Sequence, residues 1–497
     1  MNQIDFVIFL VFTLGVVVFG CSFFKKGSSA DDFTSAGHSI PGWVVGMSIF
    51  ATYVSSISYI GYPGKAFASN WNAFVFSLSI PIASYFAAKY FVPFYRHSGS
   101  VSAYTFLEEK FGPWARLYAS ACYLLTQVAR MGSILYLLAV PMYILMGWNL
   151  HAVILLTTIG IIIYSMLGGL KAVIWADAIQ GIILIGGALL CLAILLFSMP
   201  EGPGQAFELA ANAPGGNKFS LGAFTGELTT STFWVCLIYG IFINLQNYGI
   251  DQNYVQRYHA AKTDKDARFS ALFGGYLFIP VSALFFLIGS ALYSYYAAGV
   301  EPLPAEIAQK PDYVFPYFIV SSLPVGLRGL LIASIFAAGM STVSTSVTSA
   351  ATIILTDYVR PFRRHTTGEG SERRDVLILR ASSVIVGLLG SLVAIAMLSV
   401  ESIIDAWWTL SSIFSGGMLG LFLLGCVSRR INRVAALVGC ICGVLVIGWI
   451  SLADLWHLPG IHLHSYLAIV LGTCTIFVIG FLLTYLMKTN PTNNQEQ

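Results

Sequence analysis

The sequence has 497 residues, of which 57% are hydrophobic and 10% are charged, and its mean hydropathy is +0.77. Soluble proteins of this size carry about a quarter charged residues, so the composition excludes a soluble globular protein. The net charge of +3 gives no indication of a nucleic-acid partner, and none is expected.

Apolar segments of membrane-spanning length recur along the whole chain. A helix of about 20 apolar residues crosses the hydrocarbon core, whereas the strands of a membrane barrel alternate and are about ten residues long. We therefore predict an all-α integral membrane protein with about 13 transmembrane helices in a single membrane domain, 1–497. The segments are 5–24, 42–63, 71–94, 114–147, 150–168, 172–198, 231–250, 269–298, 326–357, 376–400, 404–428, 433–453 and 464–487.

The distribution of basic residues predicts the orientation in the cell membrane. Lys25 and Lys26 follow the first segment, which lacks a basic leader and a cleavage site, so we expect a retained helix with its N-terminus outside. Alternating the connections places 21 of the 26 Lys and Arg residues inside, Arg257 among them, with Arg130 left in the membrane. The positive-inside rule demands such a split, which also predicts a cytoplasmic C-terminus. The outside keeps Lys65, Lys218, Lys310 and Arg328.

The cysteines and histidines of the sequence argue against an enzyme. All eight cysteines lie within apolar segments, so they indicate neither a disulfide framework nor a metal knuckle. The eight histidines lie near segment ends or in loops, and no nucleophile with its base occurs at membrane depth. A channel is also disfavoured, because channels usually build the pore from repeated subunits or a filter motif, and a single chain of about 13 spans suggests neither.

The second segment is unusually polar. Between Ser48 and Gly64 it carries five Ser or Thr hydroxyls and two glycines in an otherwise apolar span. Such a helix breaks easily, and the carbonyls freed by a break are good ligands for a hard cation. Alternatively, the small residues serve close helix packing.

A second polar stretch presents hydroxyls on one face of a helix. Ser341, Ser344, Thr345, Thr348 and Ser349 follow the i, i+3, i+4, i+7, i+8 spacing. Hard cations prefer oxygen ligands, so this face is a candidate ion site. Alternatively, the hydroxyls bond back to their own helix.

Two charged residues lie at membrane depth. Asp177 lies about a turn inside a helix and either requires a cation or faces water at the cytoplasmic interface. Arg130 is the only basic residue deep in a predicted span, and it requires an anion because it cannot lose its charge. That anion is either a substrate carboxylate or one of two internal partners, Asp177 or Asp405.

The stretch Asn244 to Asn253 interrupts the seventh segment with amides and a glycine, which predicts a second broken helix. Counted from the second segment, the two breaks fall in the first and sixth of ten helices, as expected for two inverted five-helix repeats. We place these repeats at 42–198 and 231–428. One extra helix precedes them at 5–24, and two follow at 433–487.

These residues resemble the sodium:solute symporter family, whose members have the LeuT-type fold and include sodium-coupled sugar, proline and sialic acid transporters. The resemblance covers nearly the whole chain. It is carried by Gly168-Gly169-Leu170 with Ala172-Val173, Trp175, Asp177 and Gln180, by Asn244-Leu245 with Gly249, Gln252 and Gln256-Arg257, and by Phe336-Ala337-Ala338 before Ser341-Thr342.

The resemblance implies two sodium sites and hence two sodium ions per cycle. The first would use the carbonyls of Ala51, Val54 and Ala338 with the hydroxyls of Ser341 and Thr342. The second, known in the sialic acid branch, would use Asp177, Ser341, Ser344 and Thr345. Each of these positions offers an oxygen in this sequence.

The similarity to the sialic acid branch rests on Phe50-Ala51-Thr52, Ser55-Ser56-Ile57, Pro63, Lys65, Ala66, Trp71 and Arg130. It implies that Arg130 binds the sugar acid's carboxylate, which a guanidinium fork fits bidentately. The sequence departs from that branch at Ser77, where the branch has a substrate-contacting glutamine. The predicted substrate-binding residues are Ser55, Ser58, Ser77, Arg130, Asn244 and Asn247.

The sequence thus predicts a sodium-coupled symporter that imports a small hydrophilic solute by alternating access. The expected solute is sialic acid (N-acetylneuraminate), an acidic sugar. The alternative is a neutral sugar, an amino acid or another organic anion carried by the same fold. Membrane lipid is the other expected partner, and the sequence sets no oligomeric state.

Overall fold

The computed structural model describes residues 3–23, 30–362, 369–400, 403–428, 432–452 and 463–487, and within these ranges the protein is helical with no β-strand. Lys25 and Lys26, on which the predicted orientation depends, lie outside the described residues. The helices of the bundle, numbered in chain order, are α1 (Gln3–Cys21), α2 (Gly42–Tyr53), α3 (Ile57–Ala68), α4 (Trp71–Ser98), α5 (Pro113–Met146), α6 (Leu150–Phe197), α7 (Phe233–Ile250), α8 (Gln252–Ala260), α9 (Asp264–Ala297), α10 (Leu327–Phe362), α11 (Ser371–Ser399), α12 (Ile403–Phe414), α13 (Met418–Val427), α14 (Arg433–Leu452) and α15 (Leu467–Leu486).

Four of the predicted spans do not correspond to one straight helix each. The pairs α2–α3 and α12–α13 bend by 57° and 44° at short breaks, so each pair crosses the membrane once. Helix α6 has 48 residues and turns at Gly169, whose φ of 59° is left-handed. Since a straight helix of that length would measure roughly 70 Å against a hydrocarbon core of about 30 Å, α6 crosses twice. The described helices therefore account for the predicted spans.

Helix α1 lies at the periphery of the bundle. Its exposed large apolar side chains lie on the outer side of the helix, as expected against lipid; they are Ile4, Val7, Leu10, Val11, Leu14 and Val18. The opposite face buries Asp5, whose carboxylate accepts from the backbone N–H of Gly326 at 2.6 Å and of Gly329 at 3.3 Å. Asp5 thus caps the N-terminus of α10 and fixes α1 to the bundle.

Helix α10 forms the centre of the bundle, since nearly all of its residues are buried against α6, α5, α2 and α11. Helix α9 packs closely along the broken pair α2–α3 through small residues. A Cβ atom added at Gly289 would lie 2.3 Å from the Pro63 carbonyl oxygen, and one at Gly274 would lie 2.9 Å from the Gly46 carbonyl oxygen. These contacts hold the two halves of the broken helix in place.

Candidate functional site: a cavity between broken helices

The second segment is broken, as predicted. Helix α2 ends at Tyr53, Val54 is extended with φ −81° and ψ 103°, and α3 resumes with a π-helical turn at Ile57. The Thr52 carbonyl oxygen next to the break lies 3.5 Å from Thr342 Oγ1 of α10. The two stretches predicted to form the first sodium site therefore lie side by side and are fully buried.

The hydroxyl face of α10 has two kinds of partner. Thr342, Ser344 and Thr348 donate to carbonyl oxygens of their own helix, at 3.2, 2.9 and 2.8 Å. Ser341 instead donates to Asp177 Oδ1 at 2.7 Å, and Ser349 donates to Gln256 Oε1 at 2.7 Å. Three hydroxyls of α10 therefore bond back to their own helix, and Ser341 joins α10 to Asp177 of α6.

Asp177 lies inside the bundle and not at a water-facing interface, because its side chain is fully buried. Its cation is Arg257 of α8, whose Nη2 lies 2.8 Å from Asp177 Oδ2. Arg257, predicted to lie in an inside connection, is fully buried on α8. The sequence does not predict the burial of Arg257, because α8 as a whole is polar.

The seventh segment is also broken, seven residues beyond Asn244. Helix α7 runs through the amides to Ile250, Asp251 is extended with φ −80° and ψ 124°, and α8 begins at Gln252. The Asp251 carboxylate accepts from the Asn253 N–H at 2.8 Å and so caps α8.

A cavity that is partly open to solvent lies between these two breaks and the third break at α12–α13. Four predicted substrate-binding residues line it: Ser55, Ser58, Arg130 and Asn247. The other lining residues are Tyr53, Ile57, Tyr62, Phe76, Tyr123, Thr126, Gln127, Ile243, Gln246, Ile250, Asp251, Trp407, Trp408, Ser411 and Met418.

Two predicted substrate-binding residues do not line the cavity. Ser77 bonds to the hydroxyl of Ser282 at 2.7 Å, and Asn244 donates from Nδ2 to Ser79 Oγ at 2.8 Å. Both side chains are turned toward neighbouring helices, so the structure corrects their placement.

Gln246 lines the cavity and was missed by the sequence analysis. Its Oε1 atom is buried without a hydrogen-bond partner among the described residues. Ile243, Gln246, Asn247 and Ile250 follow the i, i+3, i+4, i+7 spacing of one helix face, and all four line the cavity. That spacing places Gln246 and Asn247 on the cavity-lining face of α7 and leaves Asn244 off that face. The sequence alone contains this pattern.

Arg130 reaches the cavity from α5 and donates from Nη2 to the Thr52 carbonyl oxygen at 2.6 Å. The internal partners considered for it are engaged elsewhere, since Asp177 pairs with Arg257 and Asp405 pairs with Lys65. Among the ion pairs of the described residues, none includes Arg130. A guanidinium has five N–H donors, so Arg130 retains donors for an anion in the cavity.

Charge networks join helices on both sides of the cavity. On one side Lys65 of α3 pairs with Asp405 of α12 at 2.8 Å, and Tyr466 donates to the same carboxylate at 2.9 Å. On the other side Arg116 of α5 pairs with Asp357 of α10 at 2.8 Å.

A sequence model of the sodium:solute symporter family matches residues 33–443 of the chain. The chain belongs to the sodium:solute symporter family. Its members are multi-pass membrane transporters coupled to sodium, which confirms the predicted class and excludes the enzyme reading.

Relatives of this symporter include two bacterial proteins. The sodium/sialic acid symporter NanT of Aliivibrio fischeri is 30% identical over 99% of this chain and 95% of its own length. The sodium/sialic acid symporter SiaT of Proteus mirabilis is 32% identical over 96% of this chain and 94% of its own length.

Solved structures confirm the predicted fold of the symporter. A Na⁺-coupled sialic acid symporter in a substrate-bound, outward-open state superposes with a TM-score of 0.89, at 29% identity over 98% of both chains. The nucleobase-cation-symport-1 transporter Mhp1, at 14% identity, has a TM-score of 0.57 over 93% of this chain and 96% of its own. The latter likeness shows the fold alone.

Proposed function

We propose that this symporter imports sialic acid together with sodium. The observation that carries the proposal is the position of Arg130, which lines a cavity between two helix breaks and forms no ion pair among the described residues. Ser55, Ser58 and Asn247 line the same cavity and supply hydroxyl and amide groups for the sugar ring. The two bacterial sialic acid symporters among the relatives support this solute.

The residues of the first predicted sodium site suit a hard cation. Ala51, Val54 and Ala338 would supply carbonyl oxygens, and Ser341 and Thr342 would supply hydroxyl oxygens. The set contains oxygen ligands only and is buried where α2 ends beside α10. A sodium ion bound there would tie the break to α10, whose partners extend across the bundle.

The transport cycle follows from the two charge networks. Opening toward the outside requires Lys65 to separate from Asp405. Opening toward the cytoplasm requires Arg116 to separate from Asp357. The repeats 42–198 and 231–428 would rock against each other in a membrane with the N-terminus outside and the C-terminus in the cytoplasm. Two sodium ions with one monoanion carry one net positive charge, so a potential of 100 mV contributes about 2.3 kcal/mol to import.

The test is uptake of radiolabelled N-acetylneuraminate by purified protein in liposomes. An inward sodium gradient should drive accumulation, and an inside-negative potential should increase it. A potassium gradient of the same size should not drive accumulation. Equal uptake in both salts would refute sodium coupling, and no uptake in either would refute sialic acid as the solute.

A second candidate solute is a monocarboxylate. The sodium-coupled monocarboxylate transporter 2 of Mus musculus is 29% identical over 90% of this chain. Arg130 would bind either carboxylate, so the liposome experiment includes lactate and pyruvate as competitors. Inhibition of uptake by excess sialic acid but not by excess lactate distinguishes the two solutes.

A further inference from the structure

The carboxylate of Asp177 accepts three hydrogen bonds inside the bundle. Ser341 donates to Oδ1 at 2.7 Å, and Ser48 and Arg257 donate to Oδ2 at 2.5 and 2.8 Å. The side chains of Asp177 and Arg257 are both fully buried. A carboxylate at this depth requires a cation, and Arg257 supplies it.

The guanidinium of Arg257 is fixed by all three of its nitrogens. Nε donates to Ser48 Oγ at 2.8 Å, Nη1 donates to the Asn253 carbonyl at 2.8 Å, and Nη2 donates to Asp177 and to Thr345 Oγ1 at 2.8 and 2.6 Å. Nη2 therefore lies between a carboxylate and a hydroxyl that both belong to the second predicted sodium set.

Arg257 occupies two oxygens of that set. Asp177 Oδ2 and Thr345 Oγ1 both accept from Nη2, at 2.8 and 2.6 Å. A hard cation needs oxygen ligands at roughly 2.3–2.6 Å, so a cation that bridged these two oxygens would lie close to the position of Nη2. The ion and the guanidinium therefore cannot bridge this pair of oxygens at the same time.

A second buried polar side chain lies near Asp177 on the same helix. Gln180 lies one turn beyond Asp177 on α6, and both of its amide atoms are buried with no partner among the described residues. Unpaired buried amide atoms are rare, because each loses its hydrogen bonds to water. Arg257 itself lies on α8, directly after the break at Asp251, so it moves with a short helix and not with a rigid span.

We propose that Arg257 is a tethered cation that alternates with a second sodium ion at Asp177. In one state the guanidinium neutralises the carboxylate and the symporter holds sodium at the first site alone. In the other state the side chain is withdrawn and sodium takes its place, so the carboxylate always has one cation. Arg257 is thus a positioning residue that sets the affinity of the second site. This inference rests on the proposed function for the identity of the ion.

The test compares the thermal stability of detergent-solubilised wild-type protein with that of R257Q, in sodium chloride and in N-methyl-D-glucamine chloride of equal ionic strength. Without sodium, R257Q should have the lower Tm, because Asp177 is left with no cation. Sodium should raise the Tm of R257Q by more than it raises that of the wild type. If the guanidinium holds the position in about nine molecules of ten, the apparent sodium affinity of R257Q rises about tenfold. R268Q, which changes an exposed arginine nearby, should match the wild type.

Two further variants keep the proposal falsifiable. The double variant R257Q/D177N removes both charges, so it should be as stable as the wild type without sodium and keep only the wild-type sodium response. If R257Q cannot be purified, R257A takes its place, since it also leaves Asp177 without its tethered cation. An Arg257 variant whose sodium-induced rise in Tm is no larger than that of the wild type overturns the tethered-cation proposal alone. If neither the wild type nor any variant responds to sodium, sodium coupling itself is refuted.

Discussion

Arg130 donates to the Thr52 carbonyl at 2.6 Å, so the basic group of the cavity is bonded directly to the backbone beside the first helix break. The same carbonyl lies 3.5 Å from Thr342 Oγ1 of α10. Solute and sodium would therefore act on one piece of backbone. Sodium that fixes the break also fixes the acceptor that orients Arg130, which gives a physical route for coupling.

The first prediction concerns Arg130. R130A should raise the Kd for N-acetylneuraminate roughly 10- to 100-fold, because a hydrogen bond to a charged group contributes about 1.5–3 kcal/mol. R130K should recover only part of this affinity, because an ammonium has no planar fork. Isothermal titration at saturating sodium measures both values. K89Q, which changes an exposed lysine, serves as the control, and unchanged affinity in R130A would contradict the assigned role.

The second prediction concerns the first sodium site. T342V removes one hydroxyl ligand at nearly constant volume and should weaken sodium activation of uptake by about tenfold, equivalent to about 1.4 kcal/mol. T348V is the matched control, since Thr348 lies on the same helix and also donates to a carbonyl one turn back, but belongs to neither predicted sodium site. The measurement is the sodium concentration at half-maximal uptake. Equal values for the two variants would remove Thr342 from the site.

The third prediction compares two amides of α7. Q246L should raise the Kd for sialic acid roughly 3- to 10-fold with little change in Tm, because Gln246 lines the cavity and its Oε1 has no partner among the described residues. N244L should lower the Tm and leave the Kd nearly unchanged, because Asn244 bonds to Ser79 of α4. The reverse pattern would show that the cavity face of α7 is misassigned.

These amides show how far the sequence determines the site. Composition and helix-length periodicity predicted the spans, and the small polar residues between Ser48 and Gly64 predicted the first break, because those effects are local. Which side chains face the cavity depends on the rotation of each helix against its neighbours. Asn244 and Ser77 are polar residues that bond to neighbouring helices, and no local pattern separates them from ligands unless the helix face is traced.

Arg257 shows the same limit for charge. Its position in a polar nine-residue stretch is typical of a cytoplasmic connection. Its burial depends on Asp177, which lies 80 residues earlier in the chain. A pairing between distant residues leaves no signal in a single sequence.

The fourth prediction concerns the pair between Lys65 and Asp405. The Lys65 and Asp405 side chains are 32% and 40% exposed, so the pair contributes only about 0–1 kcal/mol. D405N should therefore shift the population open at that end by at most about fivefold. Spin labels on α3 and α12 in a cysteine-free background would report the shift as a longer distance. K310Q should leave the distribution unchanged, and an identical distribution in D405N would show that the pair does not restrain opening.

The fifth prediction concerns the packing that holds the broken helix. A Cβ atom at Gly289 would lie 2.3 Å from the Pro63 carbonyl oxygen and 2.7 Å from the Ala66 Cβ. G289A should therefore destabilise the protein by about 1–3 kcal/mol and displace α3, because neither contact can yield without moving backbone. The expected readouts are a lower Tm and weaker sodium activation, since the displaced break carries the carbonyl ligands.

G186A is the control for G289A, because a Cβ atom at Gly186 of α6 meets nothing within 4 Å. It should be neutral or slightly stabilising, since alanine favours a helix more than glycine does. The prediction would be contradicted by a G289A variant that kept both its Tm and its sodium activation while α9 stayed in contact with α3. The close approach of these two helices would then have no part in forming the ion site. The break would then be maintained by its own sequence, through the extended backbone at Val54.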